Sequence, residues 1–495
     1  MRKQHHAPST LIEHMKAVID PRVNRTRRHN LEDILVIAVC TLLCGGETFC
    51  DMENFGKRKK KWLTTLLGLP GGIPSHDTFN RVFAAIDPDS FAEQFIKWTE
   101  GLRSAIKGEI VAIDGKALRR ARNADEDTRF VVSAWADTNR LVLGQLRVPN
   151  KTNEITVVPQ LLRALDLEGC IVTTDAMGCQ KKIVKEITDQ KADYVLALKA
   201  NHKGLWGQVS KHFTTLVGRR DCRRTREICN GRAPRPKNAT WSCHVTHDKG
   251  HGRIEERRYF QSSDLSMFEE ASHWKGLKTV GMVERIRIQD GIRSADRFYY
   301  ISSLPRRVRT FAKAVRAHWG VENSCHWTLD VSFREDDNRA RSGNSAENLA
   351  TLRRLALNLL KRDATRKRGI RGKQLDAGWD NIYLTQLLGM LDAYALVVWL
   401  MYAVAEFSPN DERIHPWRGR AQPGGLRLWR SWRLELAAGQ ASGGTPCSAL
   451  ICAGSGSPGV PRMPSIVART LSKSRSGTPN DDRGITIRRN PVKEI

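Results

Sequence analysis

The stretch Glu109-Ile110-Val111-Ala112-Ile113-Asp114-Gly115-Lys116 decides the fold of this chain. Its β-branched and apolar run is typical of a buried strand, and the run ends abruptly in an acidic residue, a glycine and a lysine. A carboxylate at the end of a buried strand is costly unless a cationic group meets it there. We therefore expect Asp114 to have a partner.

Two interpretations of Asp114 are open at this point. The residue can cap a turn, which is the commoner role of a lone aspartate at a strand end. Alternatively, its carboxylate pairs with a salt-bridging side chain or binds a divalent metal ion, which takes hard oxygen ligands. Residues further along the chain favour the metal ion.

The size and charge of the chain narrow its class. Its 495 residues are enough for a large core and two or three domains. It carries 81 Lys and Arg against 53 Asp and Glu, a net charge of +28. This excess indicates a polyanionic partner, with nucleic acid first and an anionic membrane surface second. The alternative is a basic surface that is only solvated.

The N-terminus and the cysteines indicate the compartment. Met1–His6 lacks the apolar core of a signal peptide, and the 11 cysteines form neither a disulfide ladder nor a CxxC pair. We expect a cytoplasmic protein, associated with the nucleoid if the partner is DNA. Residues 393–405 are apolar but too short to span a bilayer comfortably, so no membrane partner is expected. Irregular spacing argues against a zinc site formed by Cys222, Cys229, Cys243 and His247.

Residues 1–100 are predicted to form a small helical domain. Helices are expected near 10–20 and 31–44, and a third is expected to begin between Ser75 and Asp77. Before it, a basic run beside a tryptophan is predicted to contact DNA through Lys57, Lys59, Lys60 and Lys61. Helix pairs of this kind bind DNA in helix–turn–helix proteins, whereas in most proteins they only build the core.

The central part of the chain alternates strands and helices. After the strand at 109–114, helices are predicted at 154–166 and 179–189, and strands at 129–136, 140–148, 170–175 and 194–198. The order β-β-β-α-β-α-β gives a mixed sheet with parallel crossovers, as in ribonuclease-H-like folds. Because parallel strands end at a common sheet edge, Asp114 and Asp175 should meet there.

Residues 201–304 break this alternation with Arg-rich, β-forming sequence and are predicted to form an inserted β-rich subdomain. A helix is then predicted from Val308 to Leu329. His318, Glu322 and His326 are four residues apart and should share one face of it. Their spacing differs from that of zinc proteases, so Glu322 is expected to join the two aspartates. The histidines either flank the substrate or pack beside two tryptophans.

Several segments resemble the DDE transposases of bacterial insertion sequences, in the H-repeat-associated branch. The strongest is HWGVENSCHWTLDVSFREDDNRARSGNSAENLATLRRLALNLLK at 318–361. The others are AIDGKALR at 112–119, TTDAMGCQKKIVKEI at 173–187, DYVLALKANH at 193–202 and HGRIEERR at 251–258. The resemblance covers most of residues 10–390, with its motifs in the family's order.

This resemblance implies an acidic triad of Asp114, Asp175 and Glu322. It implies a ribonuclease-H-like catalytic domain, formed by residues 105–200 and 305–390 around the β-rich insertion. The implied cofactor is two Mg²⁺ (or Mn²⁺) ions held by the triad, and the implied activity is phosphodiester cleavage followed by strand transfer. The partners it implies are double-stranded DNA, as element ends and target, and further copies of the chain in a homo-oligomer.

Two parts of the chain depart from the family pattern. Better-known relatives place an arginine four residues before the glutamate and a lysine seven after it, where this chain has His318 and Leu329. DNA contacts are therefore predicted for Lys116, Arg316, His318, His326 and Arg334. Residues 391–495 match nothing in the family, and their Gly-, Ser-, Pro- and Arg-rich composition predicts a disordered, non-native extension. A genuine DNA-binding domain is the competing interpretation, because Arg and Trp occur together at 417–433.

Two other functions stay open. A metal-dependent nuclease or Holliday-type resolvase on the same fold would cut DNA without joining it. A non-catalytic DNA-binding relic of a transposase would do neither, and the unusual C-terminal sequence is compatible with this alternative. Strand transfer separates the first from a transposase, and metal-dependent cleavage separates the second.

Overall fold

A computed structural model describes residues 11–103, 107–121, 128–149, 153–218, 227–228, 232, 234, 236, 238–250 and 252–389. The predicted extension at 391–495 lies outside these ranges. So do Cys222 and Cys229 of the zinc alternative.

The first described segment is helical, and its helices are α1 Leu11–Lys16, α2 Leu31–Leu43, α3 Phe49–Arg58, α4 Lys60–Leu63, α5 His76–Ala85 and α6 Pro88–Leu102. Local sequence fixes where two of them begin. The Ser75 hydroxyl accepts a hydrogen bond from the Thr78 N–H at 3.4 Å, so α5 starts where its capping residue predicts. Thr48 and Asp51 form a reciprocal capping box at the start of α3.

One nine-stranded sheet organises the rest, and its strands are β1 Ile110–Leu118, β2 Arg129–Ala136, β3 Leu141–Val148, β4 Ile171–Thr174, β5 Asp193–Leu198, β6 Trp241–Gly250, β7 Arg253–Ser262, β8 Thr279–Gln289 and β9 Ile292–Ser302. The strand order is β3-β2-β1-β4-β5-β9-β8-β7-β6. β4 runs parallel to β1 and β5, and the remaining neighbours are antiparallel. The predicted mixed α/β class is confirmed.

Helices cover both faces of the parallel strands; those after β3 are α7 Glu154–Ala164, α8 Lys181–Asp189, α9 Lys203–Gly218, α10 Val308–Gly320, α11 Trp327–Phe333, α12 Ser345–Arg362, α13 Ile370–Trp379 and α14 Asn381–Leu387. α7 and α8 pack with Val111 and Val172 on one face. α10 packs with Ile110 and Ile171 on the other. The near-continuous apolar sequence of β1 and β4 follows from this double burial.

Strand β1 is longer than predicted. Its antiparallel partner β2 continues beside it past the end of β4, pairing Asp114 with Ser133 and Lys116 with Val131. The strand therefore runs through Asp114 to Leu118, and the prediction that Asp114 ends it is wrong. The aspartate instead marks the point at which the parallel pairing with β4 stops.

The predicted domains are not packed as separate bodies. β9 pairs with β5, so the four strands of the insertion 201–304 extend the same sheet that contains β1 and β4. The N-terminal helices likewise share one hydrophobic core with α12 and α14. The sheet and the hydrophobic core therefore both continue across the predicted domain boundaries. Every helix in the described part of the chain is too short or too polar to cross a lipid bilayer.

Candidate active site

The two predicted aspartates lie at the edge of the parallel part of the sheet, where the pairing of β1 with β4 stops. The last parallel pair between β1 and β4 joins Ile113 to Thr174, so the next residues on the two strands are Asp114 and Asp175. Asp175 accepts a hydrogen bond from the Gly178 N–H at 3.0 Å, in the loop that leads to α8. This register places Asp114 and Asp175 side by side, as predicted, although Asp114 lies within β1 and not at its end.

Glu322 lies on a π-helical turn, Val321–His326, which connects α10 to α11. The Trp327 N–H donates to the Glu322 carbonyl, five residues back rather than four. The predicted regular helix from 308 to 329 is therefore interrupted, and four-residue spacing no longer defines one face through the turn. Single π turns occur frequently at functional sites. Glu322 is exposed, and its charge acts on Asp114.

Negative charges converge on Asp114. Burial first, then the charges of Asp175, Glu322 and Glu154, raise the pKa of Asp114 to about 7. The imidazole of His326 lies beside it, with Nδ1 3.5 Å from Asp114 Oδ2. In the described part of the chain, Asp114 forms no ion pair with lysine or arginine. The site is a group of carboxylates whose repulsion protein side chains leave largely uncompensated.

His318 and His326, both predicted to lie beside DNA, are largely buried. His318 Nδ1 lies 3.1 Å from Thr173 Oγ1, which connects α10 to β4. Burial lowers the pKa of His318 to about 4 and that of His326 to about 3. Both imidazoles are therefore neutral at pH 7. This placement gives no support to a charged contact with DNA phosphates.

Lys116 and Arg334, two further predicted DNA contacts, are engaged with carboxylates. The Lys116 side chain is 8% exposed, and its Nζ donates to Asp330 at 2.7 Å and to Asp336 at 3.1 Å. Arg334 pairs with Asp337 at 2.9 Å but stays 57% exposed. Lys116 thus ties β1 to α11 and the segment after it, a placement that does not support direct contact with DNA.

Glu154 is a fourth acidic residue at this edge, and the sequence analysis missed it. It is the first residue of α7, and its carboxylate lies directly over Gly115. Burial, followed by the charge of Asp175, raises the pKa of Glu154. The available signal was an acidic residue opening the first helix after three strands. Such a residue is equally well explained by the helix dipole.

The donor set fits a divalent cation. In the described residues, no three side chains of His, Cys, Asp or Glu are close enough to enclose an ion by themselves. Mg²⁺ does not require such a cage, because it keeps several waters and is commonly held by one or two carboxylates together with substrate phosphates. The hard oxygens of Asp114, Asp175 and Glu322 match that preference, and bound positive charge would relieve their repulsion.

The predicted basic run lies on α3 and α4 and divides into two groups. Lys57, Lys60 and Lys61 are exposed, and Lys57 also pairs with Glu53. Lys59 instead donates to the Gly378 carbonyl at 2.9 Å and to the side chain of Asn381 at 2.7 Å. The exposed Lys60 and Lys61 are accessible to a polyanion, and Lys57 is accessible although it pairs with Glu53. Lys59 instead connects the N-terminal helices to the end of α13.

An arginine-lined cavity of about 290 Å³ opens beside the π turn. Arg316, a predicted DNA contact, lines it from α10 together with the 40% exposed Trp319 and with Asn323. One face of β7 and β8 supplies four more arginines around the buried Glu255, and the sequence analysis did not single them out: Arg253, Arg257, Arg285 and Arg287. Arginine beside an exposed aromatic ring is the chemistry of nucleic-acid strand binding.

Comparison with known proteins identifies the family. Residues 106–359 match the family described as "Transposase DDE domain", and residues 12–99 match "DDE_Tnp_1-associated". The chain is 36% identical over 386 residues to "H repeat-associated putative transposase YhhI" of Escherichia coli K12, covering 76% of this chain and 97% of that protein. It is 34% identical over 385 residues to "Putative transposase YncI" of Escherichia coli O157:H7, covering 77% and 94%.

A shorter relative and one solved structure also match. "Inactive transposase YbfQ" of Escherichia coli K12 is 36% identical over 72 residues, which cover 14% of this chain and 86% of that protein. A cryo-EM structure of a piggyBac transposase synaptic complex with hairpin DNA aligns over 81% of this chain and 83% of that chain. Its TM-score of 0.36 and identity of 10% are too low to carry a conclusion. On the family match and the two long relatives, the chain belongs to the DDE transposases, in their H-repeat-associated branch.

Proposed function

We propose that this protein is the active transposase of an insertion sequence. It binds the ends of its element, cleaves a phosphodiester there with divalent metal ions, and transfers the strand to target DNA. The supporting observation is that three separate elements bring acidic residues near enough for the charges of Asp175, after β4, and Glu322, in the π turn, to raise the pKa of Asp114 in β1. The strand order β3-β2-β1-β4-β5 supports a ribonuclease-H-like class for this half of the sheet.

In this proposal, Asp114, Asp175 and Glu322 hold two Mg²⁺ or Mn²⁺ ions as ionised ligands. Such ions, when bound, activate the attacking oxygen and stabilise charge on the leaving oxygen. The carboxylates themselves are fixed by backbone structure, since the β1–β4 register sets the aspartates and the π turn sets the glutamate. Rigid elements of this kind hold reacting groups in position better than loops do.

The basic surface supplies the affinity for DNA in this proposal. Exposed lysines at the junction of α3 and α4, together with the exposed Arg253 and Arg316 of the arginine-lined cavity, neutralise phosphates, which makes binding strongly dependent on salt. The net charge of +28 supports the same partner. A homo-oligomer that brings two element ends together remains part of the proposal.

Asp175→Asn tests the proposal, because it removes a charge at the site without changing the size of the side chain. On a duplex carrying the DNA that flanks the gene, this variant should lose Mg²⁺-dependent cleavage and keep its DNA binding. Undiminished cleavage would overturn the assignment of Asp175. The unaltered protein separates the rivals: cleavage without joining indicates a nuclease, and binding without cleavage indicates a relic.

A further inference from the structure

We propose that Glu154 is a fourth carboxylate of the divalent-cation site, acting together with Asp114 and Asp175. The inference rests on the proposed function, because it adds a residue to that same site. The acidic triad of the family does not include this position. Its support is geometric and comes from α7, an element separate from those that carry the triad.

The first support is the contact between Glu154 and Gly115. A Cβ atom built on Gly115 would lie 2.2 Å from Glu154 Oε1 and 2.4 Å from Oε2. These distances are far inside van der Waals contact, so only a glycine beside Asp114 leaves room for this carboxylate. The absence of a side chain at residue 115 thus creates the space in which the Glu154 carboxylate lies, next to the aspartate pair.

The second support is the cavity between these groups. A pocket of about 20 Å³ is lined by Asp114, Asp175, Glu154, Thr174 and Gly178, among others. A cavity needs roughly 10–15 Å³ to hold one water molecule, so this one has room for a single water or a monatomic ion. Three of its lining groups are carboxylates, which are hard oxygen donors suited to Mg²⁺ or Mn²⁺. In the described residues they do not enclose an ion by themselves, so an ion held here would keep bound waters.

The third support is the lack of another partner for the charge. In the described part of the chain, no hydrogen bond or ion pair engages the Glu154 carboxylate. The charge of Asp175 acts on it and is repulsive. The dipole of α7 favours a negative residue at this position but acts equally on any acid in the first turn. It does not account for a carboxylate directed onto Gly115 and into an acidic pocket.

The experiment is a titration of the full-length, DNA-free protein with Mn²⁺. Binding is measured by isothermal titration calorimetry and, independently, by the loss of the EPR signal of free Mn²⁺. Glu154→Gln keeps the size and should weaken Mn²⁺ binding at least about tenfold, the effect typical of disturbing a metal site. Asp77→Asn is the matched control, because Asp77 also lies in the first turn of a helix and is 71% exposed. It should leave Mn²⁺ binding unchanged.

A second variant keeps the inference testable if Glu154→Gln folds poorly. In Gly115→Ala, the added Cβ displaces the flexible end of Glu154, so this variant should weaken Mn²⁺ binding as well. Adding Gly115→Ala to Glu154→Gln should weaken it little further, because both changes act through the same carboxylate. Unchanged Mn²⁺ binding in Gly115→Ala would show that the position of the Glu154 carboxylate does not matter to the ion and would overturn the inference.

Asp175→Asn distinguishes a failure of the Glu154 inference from a failure of the proposed metal site itself. If Asp175→Asn weakens Mn²⁺ binding and Glu154→Gln does not, Glu154 is no part of the site, and the proposed function stands. If neither variant changes Mn²⁺ binding, the metal site itself is wrong, and the inference fails with it. Weakened binding in both variants, with Asp77→Asn unaffected, supports the fourth carboxylate.

Discussion

Asp114→Asn should stabilise the metal-free protein, and by more at pH 8 than at pH 5. The pKa of Asp114 is raised from 3.8 to about 7 in the folded protein. The folded protein therefore binds the carboxyl proton more tightly than the unfolded chain does. As a result, the free energy of unfolding is highest below pH 4, where both forms are protonated, and it decreases as the pH rises towards 8. A rise of about three pKa units corresponds to a loss on the order of 4 kcal/mol at 1.36 kcal/mol per unit.

The size of the pH effect follows from the same pKa values. By pH 5 the unfolded carboxyl is ionised and the folded one is not, which costs about 2 kcal/mol of the free energy of unfolding; by pH 8 the cost is about 4 kcal/mol. Asparagine cannot ionise, so the variant avoids both losses. The gain in stability from Asp114→Asn should thus be about 2 kcal/mol larger at pH 8 than at pH 5.

Urea unfolding in EDTA at the two pH values measures this difference, with Asp77→Asn as an exposed control. Added Mn²⁺ should stabilise the unaltered protein at pH 8 by mass action, and Asp114→Asn less. An equal shift of the urea midpoint at pH 5 and pH 8 would refute the reasoning. It would mean that Asp114 ionises in the folded protein as easily as in the unfolded chain.

Two other parts of the structure give predictions of their own. Replacing both Lys60 and Lys61 by glutamine should weaken DNA binding and reduce the salt slope by up to about two, whereas an unchanged slope in a salt titration would leave these charges as solvated surface. Lys59→Met should instead cost about 1–3 kcal/mol of stability in urea unfolding, because it leaves the Gly378 carbonyl and Asn381 without their donor; a lower DNA affinity at unchanged stability would contradict this. Glu335→Gln should destabilise the protein by about 3–5 kcal/mol, because it leaves the positive charge of Arg354 buried without a counter-charge. The Arg354 guanidinium is fully buried and lies 2.7 Å from the Glu335 carboxylate. A loss below 1 kcal/mol in the same assay would show that the pair contributes no more than a surface ion pair.

The sequence predicted the strands that carry the aspartates because their signals are local. In both β1 and β4 an apolar run leads to a carboxylate, and the parallel crossover brings the two carboxylates side by side. It did not predict that β1 continues to Leu118, because that depends on pairing with β2 rather than on any residue after Asp114. The π turn at Glu322 was also invisible, since a shift of one hydrogen-bond register leaves no periodic signature over a single turn.

The residues missed around the site share a different cause. Glu154 comes near Asp114 only through the crossover that places α7 over Gly115, and no spacing in the sequence encodes that contact. The four arginines of β7 and β8 were more accessible. Arg253 and Arg257 are four residues apart on one strand, and Arg285 and Arg287 are two apart on the next, so an even spacing places all four on one face. Evenly spaced arginines in β-forming sequence were a signal that could have been used, although Glu255 lies on the same face between the first two.

The pairing of β5 with β9 joins the inserted strands and the strands that carry the aspartates into one continuous twisted sheet. Neighbouring strands rotate by about 20–25° on average, so β8, three steps from β4, is turned by about 60–75° relative to it. A nucleic-acid strand that follows the arginines of β8 and then passes the aspartates must change direction along that curvature. Because backbone hydrogen bonds connect the two regions without a hinge, the curvature is fixed before any DNA arrives.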